Sequence, residues 1–214
     1  HWMVHSFPTR RSSDLLVPHR EELPAEVVLE YFRRVEAETD IPLIIYQPPE
    51  TTRRFRATPS LIESVSRSGR VVGMKISTSR MDVFLSCSQA ARNANFALIA
   101  GDETVFLFTI LVGGTGVIGQ GCTTHPEILK AVYERTMAFD MAGASRAALD
   151  TFAAVNVASG EALDGVVLQY LRRQGVAVQP YSRDGGRPPS EEISARFASN
   201  LDAVRSGYRD SMVR

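Results

Sequence analysis

The chain has 214 residues, of which 44% are hydrophobic, with 24 basic and 24 acidic side chains. That composition can fill a core and excludes general disorder, and the length allows one large domain or two small ones. A formal net charge of zero gives no footprint for nucleic acid or an anionic membrane, and no apolar run of about 18 residues predicts a membrane span. Two cysteines are too few for a disulfide framework, which favours a cytoplasmic location.

The N-terminal fifteen residues do not resemble a folded segment. Residues 1–15 lack both helical and strand periodicity, and they lack the apolar core of a signal peptide. The part from His5 to Leu15 resembles a translated sequencing adapter. We therefore expect a non-native tail over 1–15, a native sequence that starts near Leu16, and a chain that is an N-terminally truncated fragment.

From Leu16 onward, strands and helices are predicted to alternate. Helical spacing covers 24–38, a Thr-Pro start predicts a helix over 59–68, and further helices are predicted over 79–92 and 103–111. Short apolar runs predict strands over 42–46, 71–76, 96–100 and 114–118. This alternation favours parallel strands that are buried on both faces, in a barrel or a doubly wound sheet. After Thr124 only helices are predicted, over 125–142, 143–157, 161–174 and 190–207.

Lys75 and Tyr46 are the strongest catalytic candidates. They end consecutive predicted strands, and functional side chains of parallel α/β folds lie at that edge. Of the 24 basic residues only Lys75 and Lys130 are lysines, so the chain uses arginine where any cation suffices. An apolar strand end favours the neutral amine of lysine, which is the nucleophile that forms a Schiff base with a carbonyl. The alternatives are a lysine that extends to solvent or pairs with a carboxylate, and a tyrosine that only fills the core.

Four motifs resemble the dihydrodipicolinate synthase/N-acetylneuraminate lyase family in order and spacing. They are Ile45-Tyr46-Gln47-Pro48-Pro49, Gly73-Met74-Lys75-Ile76-Ser77, Gly101-Asp102-Glu103 and Gly113-Gly114-Thr115-Gly116-Val117-Ile118-Gly119. The resemblance implies an α/β fold, a partial (β/α)8 barrel containing strands from about the fourth to the eighth, followed by a helical extension. We expect the barrel part over 16–142 and the extension over 143–214.

The resemblance also implies a mechanism and a set of site residues. Lys75 matches the lysine that condenses with pyruvate or another 2-oxo acid, and Tyr46 matches a proton-relaying tyrosine. Ile118 matches a position whose backbone lies beside the bound substrate. We further expect Gly101, Ser77 and Gln47, which belong to the same motifs, to contribute to substrate binding. The resemblance implies no metal or organic cofactor, and a homo-oligomer, dimeric or tetrameric, for the full-length form.

Several positions depart from the family pattern. Gln47 stands where the family has asparagine, and Thr51 stands where dihydrodipicolinate synthases have an arginine. His19 and Arg20 replace tyrosines, Ile76 replaces a glutamate, and the carboxylate-binding loop would precede Leu16. These departures favour a sugar-acid dehydratase or another 2-oxo acid aldolase over dihydrodipicolinate synthase activity.

Other motifs have simpler explanations than catalysis. The glycine-rich segment 113–116 lacks the lysine of a nucleotide-binding loop, so close backbone packing is the better interpretation. Asp102 is interpreted as a helix cap. Two non-enzymatic hypotheses stay open beside the lyase: an inactive barrel fragment with an exposed edge, and a 2-oxo acid binding protein without turnover.

Overall fold

The computed structural model describes residues 13–16, 23–49, 58–67, 69–92, 95–156, 163–179 and 189–208. The chain divides into two compact units, residues 1–118 and 119–214. The first unit contains β1 Ser13–Leu16, α1 Ala25–Ala37, β2 Leu43–Gln47, α2 Pro59–Val65, β3 Val71–Ile76, α3 Met81–Ala91, β4 Ala97–Ala100, a 3-10 turn Glu103–Val105, α4 Phe106–Leu111 and β5 Gly116–Val117. The second contains α5 Gly121–Thr124, α6 Pro126–Met137, α7 Met141–Asn156, α8 Leu163–Arg173 and α9 Glu191–Ser206.

The first unit is built on one parallel sheet whose strands lie in chain order, β1-β2-β3-β4-β5. Each strand pairs with the next one along the chain. A doubly wound sheet reverses its strand order at a switch point, whereas a barrel sheet does not. Among the described strands there is no reversal, so the sheet has the order of a barrel segment.

The two faces of the sheet have separate environments. Ile45, Met74 and Leu98 align across three strands and pack against Phe32 of α1 and Phe84 of α3. This layer is almost solvent-free, and each large apolar side chain in it contributes about 1.5–3 kcal/mol to folding. The strands read as continuous apolar runs because the opposite face is also covered at Ile44 and Ile99.

Helix starts follow the sequence closely. Thr58 accepts a hydrogen bond at its side chain from the backbone N–H of Leu61, with an N–O distance of 3.2 Å, and Pro59 takes the first helical position. This arrangement satisfies one of the donors left open at the start of α2. The start of the predicted helix over 59–68 is confirmed, although α2 ends at Val65.

Two segments differ from the sequence-based expectation. Ser13–Leu16 pairs in parallel with β2, so part of the segment expected to be a tail lies in the sheet. The expected boundary at residue 142 also differs from the observed one after Ile118, since α6 packs along α7 and belongs to the helical unit. The rest of the expected tail, together with His19, Arg20 and Thr51, lies outside the described residues.

The break between the helices expected over 125–142 and 143–157 lies at Phe139, earlier in the chain than expected. The backbone of this residue has φ 61°, which is the left-handed region that side chains with a Cβ disfavour. Asp140 then starts α7 by accepting a hydrogen bond at its carboxylate from the N–H of Gly143, at 2.9 Å. The left-handed residue and the new cap end α6 at Met137 and separate it from α7.

We expect Phe139→Gly to stabilise the chain by roughly 0.5–1 kcal/mol, because glycine adopts this backbone conformation without a Cβ clash. The measurement is urea unfolding followed by circular dichroism. Phe139→Ala is the control: it removes the ring, which is 88% exposed, but keeps a Cβ at positive φ. Equal stability of the two variants would show that ring exposure, and not backbone strain, determines the effect.

The second unit is a helical bundle with its own core. Helices α7, α8 and α9 contribute Ala154, Val166, Tyr170, Phe197 and Leu201, all of which are nearly inaccessible to solvent. Tyr170 and Phe197 contact each other edge to face, with their ring centroids 5.8 Å apart. The predicted helices after Thr124 are confirmed in number and place, apart from the short α5.

Candidate active site

Lys75 and Tyr46 lie side by side near the carboxyl ends of β3 and β2. The two residues are register partners in the parallel pair. The Lys75 Nζ atom lies 4.4 Å from the centroid of the Tyr46 ring, and both side chains are half-buried. This distance is that of a cation–π contact between the Lys75 side chain and the face of the Tyr46 ring.

A bulge in β3 produces this alignment. Leu43 pairs with Val71, but the next residue, Ile44, pairs with Gly73, so one residue of β3 is skipped. Without the bulge, Tyr46 would align with Met74, whose side chain faces the helices. Gly73 is needed here because a Cβ at that position would lie 2.7 Å from the carbonyl oxygen of Ala97.

Backbone hydrogen bonds hold the neighbouring strand ends together. The N–H of Ser77 donates to the carbonyl of Gln47 at 3.0 Å, and the N–H of Gly101 donates to the carbonyl of Ile76 at 2.8 Å. The N–H of Ile118 donates to the carbonyl of Ala100 at 2.9 Å. Backbone hydrogen bonds therefore connect the ends of β2, β3, β4 and β5 in this order. These strand ends carry the six predicted site residues.

Ser77 and Gly101 are in direct contact. A Cβ at Gly101 would lie 2.0 Å from the Oγ atom of Ser77, so only glycine leaves room for that hydroxyl. Gln47 differs from the other candidates: it is fully buried, and strand alternation places its side chain on the opposite face from Tyr46. Its backbone carbonyl, which accepts a hydrogen bond from the N–H of Ser77, is the group of Gln47 that lies at the strand ends.

Comparison with known proteins identifies the family of this chain. Residues 13–204 match the model of the dihydrodipicolinate synthetase family. The chain belongs to this family. One relative, the 4-hydroxy-tetrahydrodipicolinate synthase of Archaeoglobus fulgidus, is 26% identical over 120 residues, which is 56% of this chain and 41% of that protein. An uncharacterised DapA-like lyase of Thermofilum pendens is 23% identical over 184 residues, 85% of this chain and 61% of that protein.

Solved structures of the family have the same fold. The catalytic lysine mutant of Ruminococcus gnavus sialic acid aldolase superposes with a TM-score of 0.84 at 18% identity, over 92% of this chain and 66% of that one. The Escherichia coli K12 prophage protein YagE, solved with pyruvate, gives 0.82 at 17% identity, over 91% and 66%. The expectation of a partial barrel followed by helices is confirmed. The chain spans less than two thirds of the length of these relatives.

Two weaker sequence motifs of this family member have structural roles. Asp102 accepts hydrogen bonds at one carboxylate oxygen from the N–H and the hydroxyl of Thr104, at 2.9 and 2.7 Å, and so starts the 3-10 turn. A Cβ at Gly114 would lie 2.3 Å from the Cγ2 atom of Thr109. Both simpler interpretations, capping and close packing, are confirmed.

Candidate metal sites and membrane-spanning helices are both absent from the described residues. No group of three or more histidine, cysteine, aspartate or glutamate side chains with the arrangement of a metal site occurs there. None of the helices described is both long enough and apolar enough to cross a bilayer.

We expect Gly101→Ala to destabilise the barrel unit by about 1–3 kcal/mol, because the added methyl group overlaps Ser77. Urea unfolding measures the effect. Gly116→Ala is the matched control on the adjacent strand, where nothing lies within 4 Å of the added Cβ. The double variant Gly101→Ala/Ser77→Gly should recover part of the loss; no recovery would show that the hydroxyl does not cause the overlap.

A partly buried polar cluster in the helical unit could not be recognised from the sequence. The Arg205 guanidinium forms an ion pair with Glu127 and donates a hydrogen bond at 2.5 Å to the Tyr170 hydroxyl, which donates to Asp202 at 2.9 Å. Burial and the hydrogen bond to Asp202 raise the pKa of Tyr170. These partners are up to 78 residues apart, so no local spacing reveals them.

His125 belongs to the same region and is 1% exposed. Its Nδ1 atom shares a hydrogen bond with the Thr124 hydroxyl at 2.9 Å. Burial, and secondarily the positive charge of Arg205, lower the pKa of His125 from 6.5 to about 4. The imidazole is therefore neutral in the folded chain at neutral pH.

This neutral histidine makes stability depend on pH. Between pH 6.5 and about 4 the unfolded chain binds a proton at His125 that the folded chain does not, so the free energy of unfolding falls as the pH falls through that window. The expected loss is about 3 kcal/mol, and it is complete near pH 4. Urea unfolding at several pH values tests this, with His125→Gln as control. The variant should lose less stability over the same window; parallel curves would contradict the assignment.

Proposed function

We propose that this family member is a Schiff-base lyase, in which the Lys75 amine attacks the keto carbon of a 2-oxo acid. The observation that carries the proposal is the position of Lys75 Nζ beside the Tyr46 ring on the strand-end face of the sheet. Membership of the family supports it. The solved structure of YagE with pyruvate is consistent with a small 2-oxo acid substrate.

The chemistry proceeds through an iminium ion. The amine of Lys75 adds to the carbonyl carbon, and the resulting carbinolamine loses water to give a protonated imine. The electron pair of a C–C or C–H bond at the adjacent carbon then forms the enamine double bond, and the π electrons of the iminium return to nitrogen. In C–C cleavage the departing fragment leaves as an aldehyde after its hydroxyl group loses a proton, and in C–H cleavage the hydrogen leaves as a proton. Protonation of the enamine and hydrolysis of the imine return the free amine. Tyr46 relays the protons of these steps, above all the proton that the adjacent carbon loses when the enamine forms.

The substrate-binding role is assigned to Ser77, Gly101, Ile118 and Gln47. The hydroxyl of Ser77 and the backbone of Gly101 lie together at the ends of β3 and β4, where they suit the polar groups of a substrate. Ile118 is half-buried and contributes its backbone beside them. Gln47 acts through its carbonyl, which fixes the position of Ser77.

The remaining parts of the proposal concern the whole protein. A lysine imine supplies its own electron sink, so the reaction needs no cofactor. The full-length form is proposed to be a homo-oligomer that acts in the cytoplasm. Departures at Gln47 and Ile76 favour sugar-acid dehydration or another 2-oxo acid aldol reaction as the specific activity.

Borohydride reduction in the presence of pyruvate tests the proposal without knowledge of the natural substrate. Reduction of the imine should leave a carboxyethyl group on the peptide that contains Lys75, which mass spectrometry detects. Exchange of the pyruvate methyl protons with D2O, followed by NMR, measures enamine formation in the same sample. Trapping without exchange would indicate a binding protein, and neither signal from a cooperatively melting chain would reject the lyase.

A further inference from the structure

Helix α7 exposes its large apolar side chains and buries its small ones. Met141, Leu149 and Phe152 lie on one side of the helix, with Leu149 69% and Phe152 51% exposed. The opposite side, which includes Ala147 and Ala154, is buried among the helices of the same unit. A surface helix normally buries its largest apolar side chains, so the exposed side of α7 has the character of a second contact surface.

The turn between α6 and α7 adds two more apolar side chains. Met137 and Phe139 are both more than half exposed, and they precede Met141 directly. The Phe139 ring is presented from a backbone with positive φ, which costs free energy in a residue that has a Cβ. Residues held in such conformations cluster at functional sites, which agrees with a contact surface at this turn.

These five side chains, termed the α7 face, expose enough apolar area for a specific contact. The α7 face consists of Met137, Phe139, Met141, Leu149 and Phe152. The two phenylalanines alone expose roughly 250 Å², since a phenylalanine side chain presents about 180 Å² when free. The two methionines and the leucine add about as much. Two such faces in contact would bury about 1,000 Å², which reaches the size of a specific interface.

The charged residues of α7 complement each other across a twofold axis. Arg146 and Asp150 are the only charged residues of this helix, and they lie at one rim of its exposed side. Arg146 forms no ion pair with a carboxylate of the described residues. The two residues are four positions apart, so a twofold axis that crosses the helix at Ala148 would place Arg146 of each copy opposite Asp150 of the other.

We propose that the α7 face binds a second copy of this chain, with the two α7 helices antiparallel about a twofold axis near Ala148. Phe152 of one copy then packs against Met141 of the other. The proposal specifies a surface for the homo-oligomer proposed above, and it does not depend on chemistry at Lys75. A lipid surface is a poorer occupant, because helices that lie on membranes carry several basic residues beside their apolar face, and α7 has one.

Sedimentation equilibrium of the 214-residue chain at micromolar concentration tests the proposal. Leu149→Glu places a carboxylate at an exposed position, so the variant should fold and sediment with half the mass of the unmodified chain. Val176→Glu is the control, because Val176 is exposed in the same unit but lies outside the α7 face, and its mass should not change. An unmodified chain that sediments as a 23.6 kDa monomer, or an unchanged mass in Leu149→Glu, would overturn the proposal.

Charge reversal tests the antiparallel arrangement itself. Arg146→Glu and Asp150→Arg should each weaken self-association at least about tenfold, because like charges then face each other across the axis. An equimolar mixture of the two variants should recover the dimer, since every pair across the axis again joins opposite charges. Melting temperatures confirm that each variant is folded, and a mixture of folded variants that stays monomeric would reject the axis near Ala148. Lys75→Arg should dimerise as the unmodified chain does, so failure of this interface and failure of the lyase proposal are distinguishable.

Discussion

Lys75→Arg should abolish borohydride trapping of pyruvate and slow methyl-proton exchange at least about 10³-fold. Arginine keeps the positive charge and nearly the length of lysine, and it can still contact the Tyr46 ring. Its guanidinium does not lose a proton at any pH at which a protein is folded, so it cannot add to a ketone. The variant therefore separates the nucleophilic role of the amine from its role as a cation.

The chain offers a matched control for this substitution. Lys130 is the only other lysine, and it makes an ion pair with Glu134 at 3.6 Å on the helix α6. Lys130→Arg preserves that surface pair, so trapping and exchange should equal those of the unmodified chain. Because the chain has two lysines, mass spectrometry of the trapped protein needs to distinguish only two possible sites of modification. Modification that persists in Lys75→Arg and disappears in Lys130→Arg would contradict the proposed mechanism.

Local patterns were sufficient to predict most of the elements of the barrel unit. The run over 71–76 was assigned without error, because a parallel strand buried on both faces is almost continuously apolar, and Lys75 is the one polar residue in this run. The helix start at Pro59 followed from capping and proline chemistry, whereas the helix expected over 79–92 starts at Met81 without a side-chain cap. A break between α6 and α7 was expected, but its position at Phe139 was not predictable, since a phenylalanine in the left-handed region contradicts the usual preference for glycine.

The pairing of Lys75 with Tyr46 was predictable only in part. Strand order and the rule that functional groups lie at the carboxyl ends placed both residues at one edge. Whether their side chains share a face depends on the bulge before Gly73, and a one-residue slip would have put Tyr46 beside Met74. The glycine inside the strand was the available signal, because it permits both the bulge and close approach of β4.

Tyr46→Phe is expected to reduce methyl-proton exchange about 10²- to 10⁴-fold while leaving an imine that borohydride can still trap. The substitution removes the hydroxyl that relays protons, but it keeps the ring that lies 4.4 Å from the Lys75 amine. Addition of the Lys75 amine to the keto carbon depends on the contact with the Tyr46 ring. Rapid transfer of a methyl proton depends on the Tyr46 hydroxyl.

Comparison of the two readouts distinguishes a chemical role for Tyr46 from a packing role. A loss of packing at a half-buried tyrosine would lower trapping and exchange together, and it would lower the melting temperature as well. Tyr133→Phe, at a half-buried position on α6, is the control and should change neither readout. If exchange in Tyr46→Phe equals that of the unmodified chain, the proton relay belongs to another group, and the Tyr46 ring serves only to hold the amine.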